Sequence, residues 1–394
     1  MLCDKSQEPE FGKSPTGNTW IGEEVEKRPM IDKVSIHNFR CFRELEVSNL
    51  KRVNLLVGPN SSGKSAFLES LFLSSSSSAP NTVFQLKAIR RMGNQIVAPT
   101  DALGYRSLWD DLFYEFNDGK KIWIKVGGNP NADTRSLSIE YTTSLGEELP
   151  FGKPSVPART TLSAGSTPQI EFKWKRTGYP EVIARPTITT TGVQVGIKLE
   201  STEVLYFPAI WFTPTGSDTP EEVAKRFAEI VKRGHISKIK DVITKEFPFI
   251  KDLTLLYQAG IPMVFADVEG TGRSKEMPVG LISDGINRLL GICLGIGYFS
   301  GGMVLIDQIE DGIHHKVLRS IWGSLYSLAK EFNVQLFIST HSSECIEAML
   351  PTLKGNEADF CLLRAYRTKT DGCTIDSLTG DYLESALEQE IEVR

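Results

Sequence analysis

The chain has 394 residues, of which 40% are hydrophobic and 24% are charged, an ordinary composition for a folded soluble protein. Its formal net charge of −5 at pH 7 excludes an overall basic surface that would attract nucleic acid, and leaves only a local basic patch open. The six cysteines form no CxxC pair, which predicts reduced thiols in a cytoplasmic protein.

The beginning of the chain predicts no membrane or secretory segment. Residues 1–29 are polar and rich in Glu, Lys, Gly and Pro, and we expect a flexible leader without a signal-peptide core. No apolar run in the sequence approaches the roughly 20 residues that a membrane-spanning helix needs.

The first predicted elements surround a glycine-rich loop. Residues 34–39 and 45–47 alternate as strands do, and the apolar run 53–57 predicts a buried strand. A helix is predicted over residues 64–73, and the five serines at 74–78 predict a loop that ends it.

The glycine-rich loop, GPNSSGKS at residues 58–65, matches the P-loop pattern at every fixed position and lies between that strand and that helix. Its backbone N–H groups and the helix N-terminus favour a phosphate. Lys64 is suited to the β- and γ-phosphates and the Ser65 hydroxyl to Mg²⁺, so the pattern predicts ATP and Mg²⁺. The predicted nucleotide-binding residues are Asn60, Ser61, Ser62, Gly63, Lys64, Ser65 and Ala66.

The middle of the chain has a different pattern. Over residues 121–215, short β-rich runs alternate with Gly, Pro, Ser and Thr clusters, which predicts an antiparallel β region. Residues 216–278 are predicted as a helical insertion with return strands. Its helical part, residues 219–251, opens with a capping pattern at Thr219 and is too short for a long coiled-coil arm.

An α/β pattern returns over residues 279–394, so the core is split, with its other part at residues 30–120. The apolar strand 303–306 delivers Asp307 at its end, the position of a carboxylate that holds Mg²⁺ in a P-loop protein. Four more elements are predicted after this strand. They are a helix over residues 316–332, a strand over 334–338 that precedes His341, a core strand at 359–363 and a short helix in the acidic tail 383–394.

Five segments, in this order and spacing, resemble the ABC-type ATPases, and within them the bacterial group related to the overcoming-lysogenization-defect (OLD) nucleases. They are IDKVSIHNFRCF, the P-loop, LISDGINR, VLIDQIEDGIHH and LFISTHSSE, and the resemblance covers about residues 30–366. It implies an α/β fold, an ABC-type P-loop ATPase head with a mixed sheet, an antiparallel β subregion and an inserted helical lobe. It also implies a head-to-head dimer, with possible further assembly, that completes two ATP sites.

The resemblance gives roles to single residues. Ser283, Asp284 and Gly285 would form the signature motif that caps ATP on the opposite copy, supported by Arg288, and Asp311 and Gly312 would cross the dimer seam. His341 would sense the γ-phosphate. Plainer alternatives stay open: a helix cap at Ser283 and a strand-end histidine at 341. The pair at residues 314 and 315 is interpreted as structural, because no third metal ligand is in view.

Gln308 departs from the family pattern, which has a glutamate at this position to activate the attacking water. An amide can hold a water but cannot accept its proton, so we expect slow hydrolysis. Glu310 is a poor substitute if the strand continues, because it would then point to another face. Two explanations compete: an engineered, isosteric Glu-to-Gln change, which we favour, and a natural protein that uses ATP mainly as a clamp.

The function that follows is a hypothesis by analogy. OLD nucleases carry a Toprim nuclease domain after the ATPase, but only about 50 residues follow His341 here. We therefore expect an ATP-gated sensor or scaffold that controls a separate effector, a nuclease or toxin, in anti-phage defence. The alternative is a repair-type ATPase that clamps DNA, with Lys87, Arg90 and Arg91 as candidate phosphate contacts, although a solvated helix face explains them better. A transporter-type ATPase is disfavoured.

The sequence alone leaves two further assignments open. Either Gln85 or Gln95 could be the glutamine that links Mg²⁺ to the lobe motion, since nothing local decides between them. Trp109 and Phe113 could lie at an interface, and the core side of a helix explains their spacing as well.

Overall fold

The computed structural model describes residues 30–89, 102–127, 133–144, 167–191, 194–198, 206–214, 218–269, 275–313, 315–370 and 372–379. Within these ranges, no helix combines the length and apolarity needed to cross a bilayer. Several predicted features lie outside the described residues: the leader, the tail helix, Arg90, Arg91, Gln95 and His314.

Seventeen strands and nine α-helices are formed by the described residues. The strands are β1 (Lys33–Phe39), β2 (Phe42–Val47), β3 (Val53–Val57), β4 (Ile122–Gly127), β5 (Arg135–Ser144), β6 (Thr167–Arg176), β7 (Val182–Ala184), β8 (Thr187–Thr191), β9 (Gln194–Lys198), β10 (Ala209–Phe212), β11 (Ile250–Gln258), β12 (Ile261–Val268), β13 (Lys275–Pro278), β14 (Met303–Ile306), β15 (Gln335–Ser339), β16 (Phe360–Arg367) and β17 (Cys373–Thr379). The helices are α1 (Lys64–Leu73), α2 (Ala79–Ile89), α3 (Ala102–Ser107), α4 (Pro220–Lys232), α5 (Ile236–Glu246), α6 (Val279–Ile282), α7 (Asp284–Tyr298), α8 (His315–Glu331) and α9 (Ser343–Leu353).

The central sheet is mixed and has the strand order β10-β14-β15-β3-β16-β17. All neighbouring pairs run parallel except β16 and β17, which are antiparallel. Because β3, β14 and β15 are parallel neighbours, their carboxyl ends meet at the same edge of the sheet. The P-loop, Asp307 and His341 follow these three strands, so the topology brings them together.

Strand β3 is buried on both faces, which explains why four of its five residues are apolar. Its one polar side chain, Asn54, donates to the carbonyl oxygens of Lys51 and Leu336. Val53, Leu55 and Val57 pack into a core that they share with α4, α5, α7, α8 and α9. Leu56 faces the opposite core, where α1 lies between the central sheet and the antiparallel sheet. Phe67 of α1 and Phe337 of β15 meet in this second core with ring centroids 6.4 Å apart.

The second large sheet is antiparallel, with the order β2-β1-β4-β5-β6-β7. It combines strands from before the P-loop with strands of the β-rich middle. Trp109 and Phe113 are buried in its core, which decides the open question about them in favour of core packing. The α/β prediction of a P-loop ATPase head, with a mixed sheet and an antiparallel subregion, is confirmed.

The predicted helical insertion holds two amphipathic helices, α4 and α5, and then the three-stranded sheet β11-β12-β13. Thr219 caps α4 as predicted, since its side chain accepts from the Glu222 N–H and the Glu222 side chain accepts from the Thr219 N–H. The predicted helical stretch is too long at its end: α5 ends at Glu246, and residue 251 already lies in β11. The division of the chain at residues 120, 215 and 278 stays a prediction.

Candidate functional site

The P-loop closes around its own lysine. Lys64 is largely buried, and its Nζ donates to the carbonyl oxygens of Gly58 and Pro59 at 2.6 and 2.9 Å. Burial lowers the pKa of Lys64, and the negative charges of Asp307 and Glu310 oppose this change. The lysine is therefore held by the loop's own carbonyl groups, within electrostatic range of two carboxylates.

Two glycines of the loop have backbone conformations that other residues rarely adopt. The φ angles are 141° at Gly58 and 101° at Gly63. A Cβ at Gly58 would overlap the carbonyl oxygen of Ala365, and one at Gly63 would lie 2.9 Å from the Phe42 ring. The tight curvature of the loop therefore depends on glycine at both positions.

Ser65 and Asp307 lie together although 242 residues separate them in the chain. Ser65 Oγ donates to Asp307 Oδ2 at 2.7 Å, and Ser339 Oγ donates to Asp307 Oδ1. The Asp307 carboxylate is thus fixed by a hydroxyl from the P-loop helix and by one from β15. No cluster of three His, Cys, Asp or Glu side chains that could hold a metal occurs among the described residues.

These residues fit ATP with Mg²⁺. Ser62 Oγ is buried and has no hydrogen-bond partner in the described part of the chain, so a polar ligand atom would satisfy it. Gly63 caps α1 without a side-chain oxygen, which leaves first-turn N–H groups to a phosphate. Mg²⁺ is usually held by one or two protein oxygens together with phosphates, and Ser65 and Asp307 supply such oxygens.

A cavity of about 760 Å³ opens at this edge of the sheet. Its lining comprises Arg40, Cys41, residues 60–66, Asp111, residues 113–116, Asp307, Gln308 and Arg367. All seven predicted nucleotide-binding residues are among them, as are Asp307 and Gln308. Ser283, Asp284, Gly285 and His341 do not line it, and the functional role of each predicted residue stays a prediction.

The wall at residues 113–116 was not predicted from the sequence. Phe116 is 71% exposed, and both Glu115 and Phe116 have positive φ angles, 52° and 57°. Consecutive left-handed residues other than glycine are unfavourable and cluster at functional sites. The strained turn presents aromatic side chains to the cavity, and a positive φ at such residues cannot be read from residue types.

A largely buried ionic cluster supports this wall. Arg40 donates to Glu69 of α1 and, at 2.5 Å, to Asp111 Oδ2; Lys87 of α2 donates to Asp111 Oδ1 at 2.6 Å. Burial by itself raises the pKa of Asp111, but Arg40 and Lys87 outweigh burial and hold it below its ordinary value. Lys87 is therefore an internal partner of Asp111, and the prediction of a solvated basic face is wrong at this residue.

The chain turns sharply after β14. Gln308 has a φ of 53°, and its N–H donates to Ser339 Oγ at 2.9 Å. Arg288 donates to the carbonyl oxygens of Thr213, Asp307 and Gln308. The Arg288 guanidinium thus stabilises the turn after β14 of its own chain. The resemblance had implied a different role, in which Arg288 supports the contact of the signature motif with ATP on the opposite copy.

Because β14 ends at Ile306, the premise that the strand continues to Glu310 is wrong. Glu310 folds back toward β15, and its Oε1 accepts from the His341 N–H at 3.0 Å and lies 3.0 Å from His341 Nδ1. Glu310 Oε2 is buried without a hydrogen-bond partner in the described residues. The turn at Gln308 was not foreseeable from the strand pattern.

The predicted signature motif lies at the surface. Ser283 and Asp284 are exposed, and Ser283 precedes the 15-residue helix α7 without a capping hydrogen bond from its side chain. Leu281, two residues earlier, is 74% exposed. Gly285 packs so closely on Gly312 that a Cβ would overlap the Gly312 carbonyl oxygen. The signature and the predicted seam residues thus share one surface.

Sequence comparisons agree with a nucleotide-binding core. Residues 30–130 match the profile of a family described as "AAA ATPase domain", and residues 215–347 match one described as "AAA domain, putative AbiEii toxin, Type IV TA system". The chain therefore carries AAA-type ATPase domain sequence on both sides of its β-rich middle.

Two curated relatives and a solved structure are similar over different shares of the chain. An "ATP/GTP phosphatase" of Helicobacter pylori is 22% identical over 357 residues, 86% of this chain and 91% of the relative. The protein MJECL10 of Methanocaldococcus jannaschii is 33% identical over 111 residues, 28% of this chain, and the chain spans about half (47%) of its length. The SMC head bound to the C-terminal winged-helix domain of ScpA has a TM-score of 0.47 and 12% identity, covering 91% of this chain and all (100%) of that one.

Proposed function

We propose that the chain binds ATP with Mg²⁺ in the cavity at residues 60–66 and hydrolyses it slowly, in a site that a second copy completes. The observation that carries the proposal is the contact of Ser65 Oγ with Asp307 Oδ2 beside Lys64. A hydroxyl, a carboxylate and a cation occur together there, and these are the groups that a P-loop nucleotide with Mg²⁺ requires. The Helicobacter pylori relative is named an ATP/GTP phosphatase, which agrees with this chemistry.

Each residue of the cavity has a defined task in this proposal. Lys64 gives up its bonds to the Gly58 and Pro59 carbonyls and neutralises phosphate oxygens. Ser65 and Asp307 would hold Mg²⁺, whose chemistry is to neutralise charge on the phosphates. Ser339 keeps the Asp307 carboxylate oriented. Gln308 can orient a water through its amide but cannot take its proton, so turnover is slow.

The second copy is inferred from what the cavity lacks. None of Ser283, Asp284 and Gly285 lines the cavity of its own copy, yet Ser283 and Asp284 are exposed at the start of a long helix. Such a helix start attracts an anion. The exposed Leu281 beside it would be covered when two copies pack together.

The biological role that we propose is an ATP-gated sensor or scaffold that controls a separate effector, a nuclease or toxin, in bacterial anti-phage defence. The family description at residues 215–347 names a putative toxin of a toxin–antitoxin system, which supports a role in such a system. The repair-type alternative, in which the chain clamps DNA, loses one of its candidate contacts because Lys87 is bonded to Asp111.

Mass photometry with and without ATP and Mg²⁺, on this chain and on Gln308→Glu, tests the proposal when phosphate release is followed in parallel. We expect ATP to drive even-numbered assembly of both proteins and Gln308→Glu to release phosphate faster. Lys64→Ala serves as the control without nucleotide binding. Assembly that ignores ATP, together with an inert Gln308→Glu variant, would contradict the composite site.

A further inference from the structure

Cys41, just before β2, and Cys373, at the start of β17, lie opposite each other on neighbouring backbone segments. Phe42 and Gly372 form an antiparallel bridge, and beside it the Cys373 N–H donates to the Cys41 carbonyl oxygen at 2.9 Å. Opposite residues at such a hydrogen-bonded position have Cα atoms about 5.5 Å apart. This separation lies within the range of roughly 4.4–6.8 Å that a disulfide spans.

The turn between β16 and β17 approaches Cys41 closely. Gly372 has a φ of 80°, and a Cβ there would overlap the Cys41 carbonyl oxygen. The two backbone segments are therefore already as close as a covalent bridge between Cys41 and Cys373 requires.

The two cysteine side chains meet at the P-loop. A Cβ added to Gly63 would lie 3.0 Å from Cys41 Sγ and 3.1 Å from Cys373 Cβ. The Cys41 thiol is hydrogen-bonded to the Cys373 thiol, and Cys373 Sγ donates to the Ser61 carbonyl oxygen at 3.6 Å. The thiols thus form a short chain of hydrogen bonds that ends on the backbone of the P-loop.

A small oxidant can reach this pair through the cavity. Cys41 lines the cavity and is partly exposed, whereas the Cys373 side chain next to it is buried. The other described cysteines, Cys293, Cys345 and Cys361, are buried and do not line the cavity. Among the described cysteines, the Cys41–Cys373 pair is therefore the one placed to react from the nucleotide site.

The electrostatic surroundings favour a thiolate at Cys373. The hydrogen bond from Cys41 lowers the pKa of Cys373 to about 7, and the positive charge of Arg367 acts in the same direction, although burial opposes it. The thiolate is the nucleophilic form of cysteine. A thiol that ionises readily beside a second thiol is the usual arrangement in redox-sensing proteins.

We infer that Cys41 and Cys373 form a reversible disulfide that weakens ATP binding at the P-loop, with hydrogen peroxide as the oxidant. The Cys373 sulfur bonds to one peroxide oxygen, the O–O bond breaks, and the other oxygen leaves as water with the proton that Cys373 released. The Cys41 sulfur then bonds to the Cys373 sulfur, and the hydroxyl of the sulfenic acid leaves as water with the Cys41 proton. Two thiols lose two electrons in total, and the peroxide gains them.

The disulfide would act on the nucleotide site through Ser61 and Gly63. Cys373 has no S–H in the disulfide, so the donor to the Ser61 carbonyl oxygen is lost. Ser61 has a φ of 63°, an unfavourable conformation for serine that the surrounding contacts have to maintain. Both residues line the cavity, so a change in their backbone reduces its fit to ATP. The inference rests on the proposed ATP-binding function.

The disulfide itself is measured without nucleotide. The chain is treated with hydrogen peroxide, free thiols are blocked with N-ethylmaleimide, and a non-reducing digest is analysed by mass spectrometry. We expect a linked pair of peptides that contain Cys41 and Cys373 and that dithiothreitol separates. Cys345→Ser, the matched control at a buried cysteine, should form the same link. A digest without this link would overturn the inference.

The effect on ATP binding is measured by titration of a fluorescent ATP analogue into the reduced, oxidised and re-reduced chain. We expect oxidation to weaken binding by up to about tenfold, the effect of one lost hydrogen bond, and dithiothreitol to restore it. Each variant is compared with its own reduced form. Cys345→Ser should show the same loss as the unchanged chain, and Cys373→Ser should show none.

The outcomes separate the inference from the proposed function. If the reduced chain bound no ATP analogue, the proposed function would fail. If the reduced chain bound it and the linked chain bound it equally well, only the present inference would fail. An undiminished loss of affinity on oxidation of Cys373→Ser would also overturn the inference, because another group would then be responsible.

Discussion

Ser65 Oγ donates a 2.7 Å hydrogen bond to Asp307 Oδ2, joining the first helix of the core to the end of β14 across 242 residues of sequence. The contact exists because β3 and β14 are parallel members of one sheet with only β15 between them. Two short motifs that are far apart in the chain thus become one site, and the strand order is the reason.

Phe116 is predicted to contribute to nucleotide affinity. It is 71% exposed on a strained turn that lines the cavity, and an aromatic ring there can stack on the base of ATP. Stacking of a base on an aromatic side chain contributes about 1–3 kcal/mol, so Phe116→Ala should weaken ATP binding by roughly tenfold.

Titration of a fluorescent ATP analogue measures the effect of Phe116→Ala. Tyr257→Ala is the matched control, because Tyr257 is 74% exposed on β11 and does not line the cavity. If the Phe116→Ala and Tyr257→Ala variants bound the analogue with equal affinity, the adenine base of ATP would not stack on Phe116.

Cys41 should report on occupancy of the cavity. Its side chain lines the cavity, whereas the other described cysteines, Cys293, Cys345, Cys361 and Cys373, are buried. The hydrogen bond to Cys373, together with burial, raises the pKa of Cys41, so alkylation is expected to be slow. Bound ATP and Mg²⁺ should slow it several-fold further.

Alkylation with N-ethylmaleimide, followed by peptide mass spectrometry, gives the rate at each cysteine of the chain. Lys64→Ala should lose the protection by ATP. Protection of Cys41 that persists in Lys64→Ala would mean that the nucleotide does not occupy this cavity.

The Asp111 cluster predicts a pH dependence of stability. The folded-state pKa of Asp111 lies below its ordinary value. The contribution of Asp111 to the free energy of unfolding is therefore complete above about pH 4 and is lost as the pH falls through the folded-state pKa. Asp111→Asn should destabilise the protein by about 2 kcal/mol near neutral pH, because Arg40 and Lys87 lose the charged acceptor of their hydrogen bonds in a partly buried site. The difference from the unchanged chain should shrink below about pH 4.

Asp110 is a control of opposite sign. Burial raises the pKa of Asp110 in the folded state. The contribution of Asp110 to the free energy of unfolding is therefore complete below about pH 4 and decreases as the pH rises through the folded-state pKa. Urea unfolding of Asp110→Asn and Asp111→Asn between pH 3 and pH 7, a range set by the ordinary carboxyl pKa, should show opposite trends. Parallel trends would mean that the ionic cluster does not hold Asp111 charged.

Gly285→Ala should interfere with assembly more than with ATP binding. The added Cβ would overlap the Gly312 carbonyl oxygen, so the predicted seam residues would have to move. Gly280→Ala is the matched control, since a Cβ there meets no atom within 4 Å. Mass photometry measures ATP-driven assembly, which should be lost in Gly285→Ala and kept in Gly280→Ala. If Gly285→Ala still assembled, the surface around Gly285 and Gly312 would not be part of the interface.

The sequence predicted the parts of the site that depend on short-range patterns. The apolar run before Gly58 and the one before Asp307 identify strands, and the loop spacing identifies the phosphate cradle. It did not predict the wall at residues 113–116 or the pairing of Glu310 with His341. Both depend on residues with a positive φ angle, namely Glu115, Phe116 and Gln308. Residues of these types rarely adopt a positive φ angle, so the sequence does not predict it.

The central claim, a site shared by two copies, is tested most directly by mixing two inactive variants in the Gln308→Glu background. Lys64→Ala lacks a working P-loop and keeps its signature motif, whereas Ser283→Arg keeps its P-loop and lacks the motif. Each alone should release little phosphate. An equimolar mixture should recover substantial phosphate release, because the mixed dimer holds one site with both parts intact. A mixture as inactive as its components would contradict a composite site and leave the P-loop as a nucleotide site within one copy.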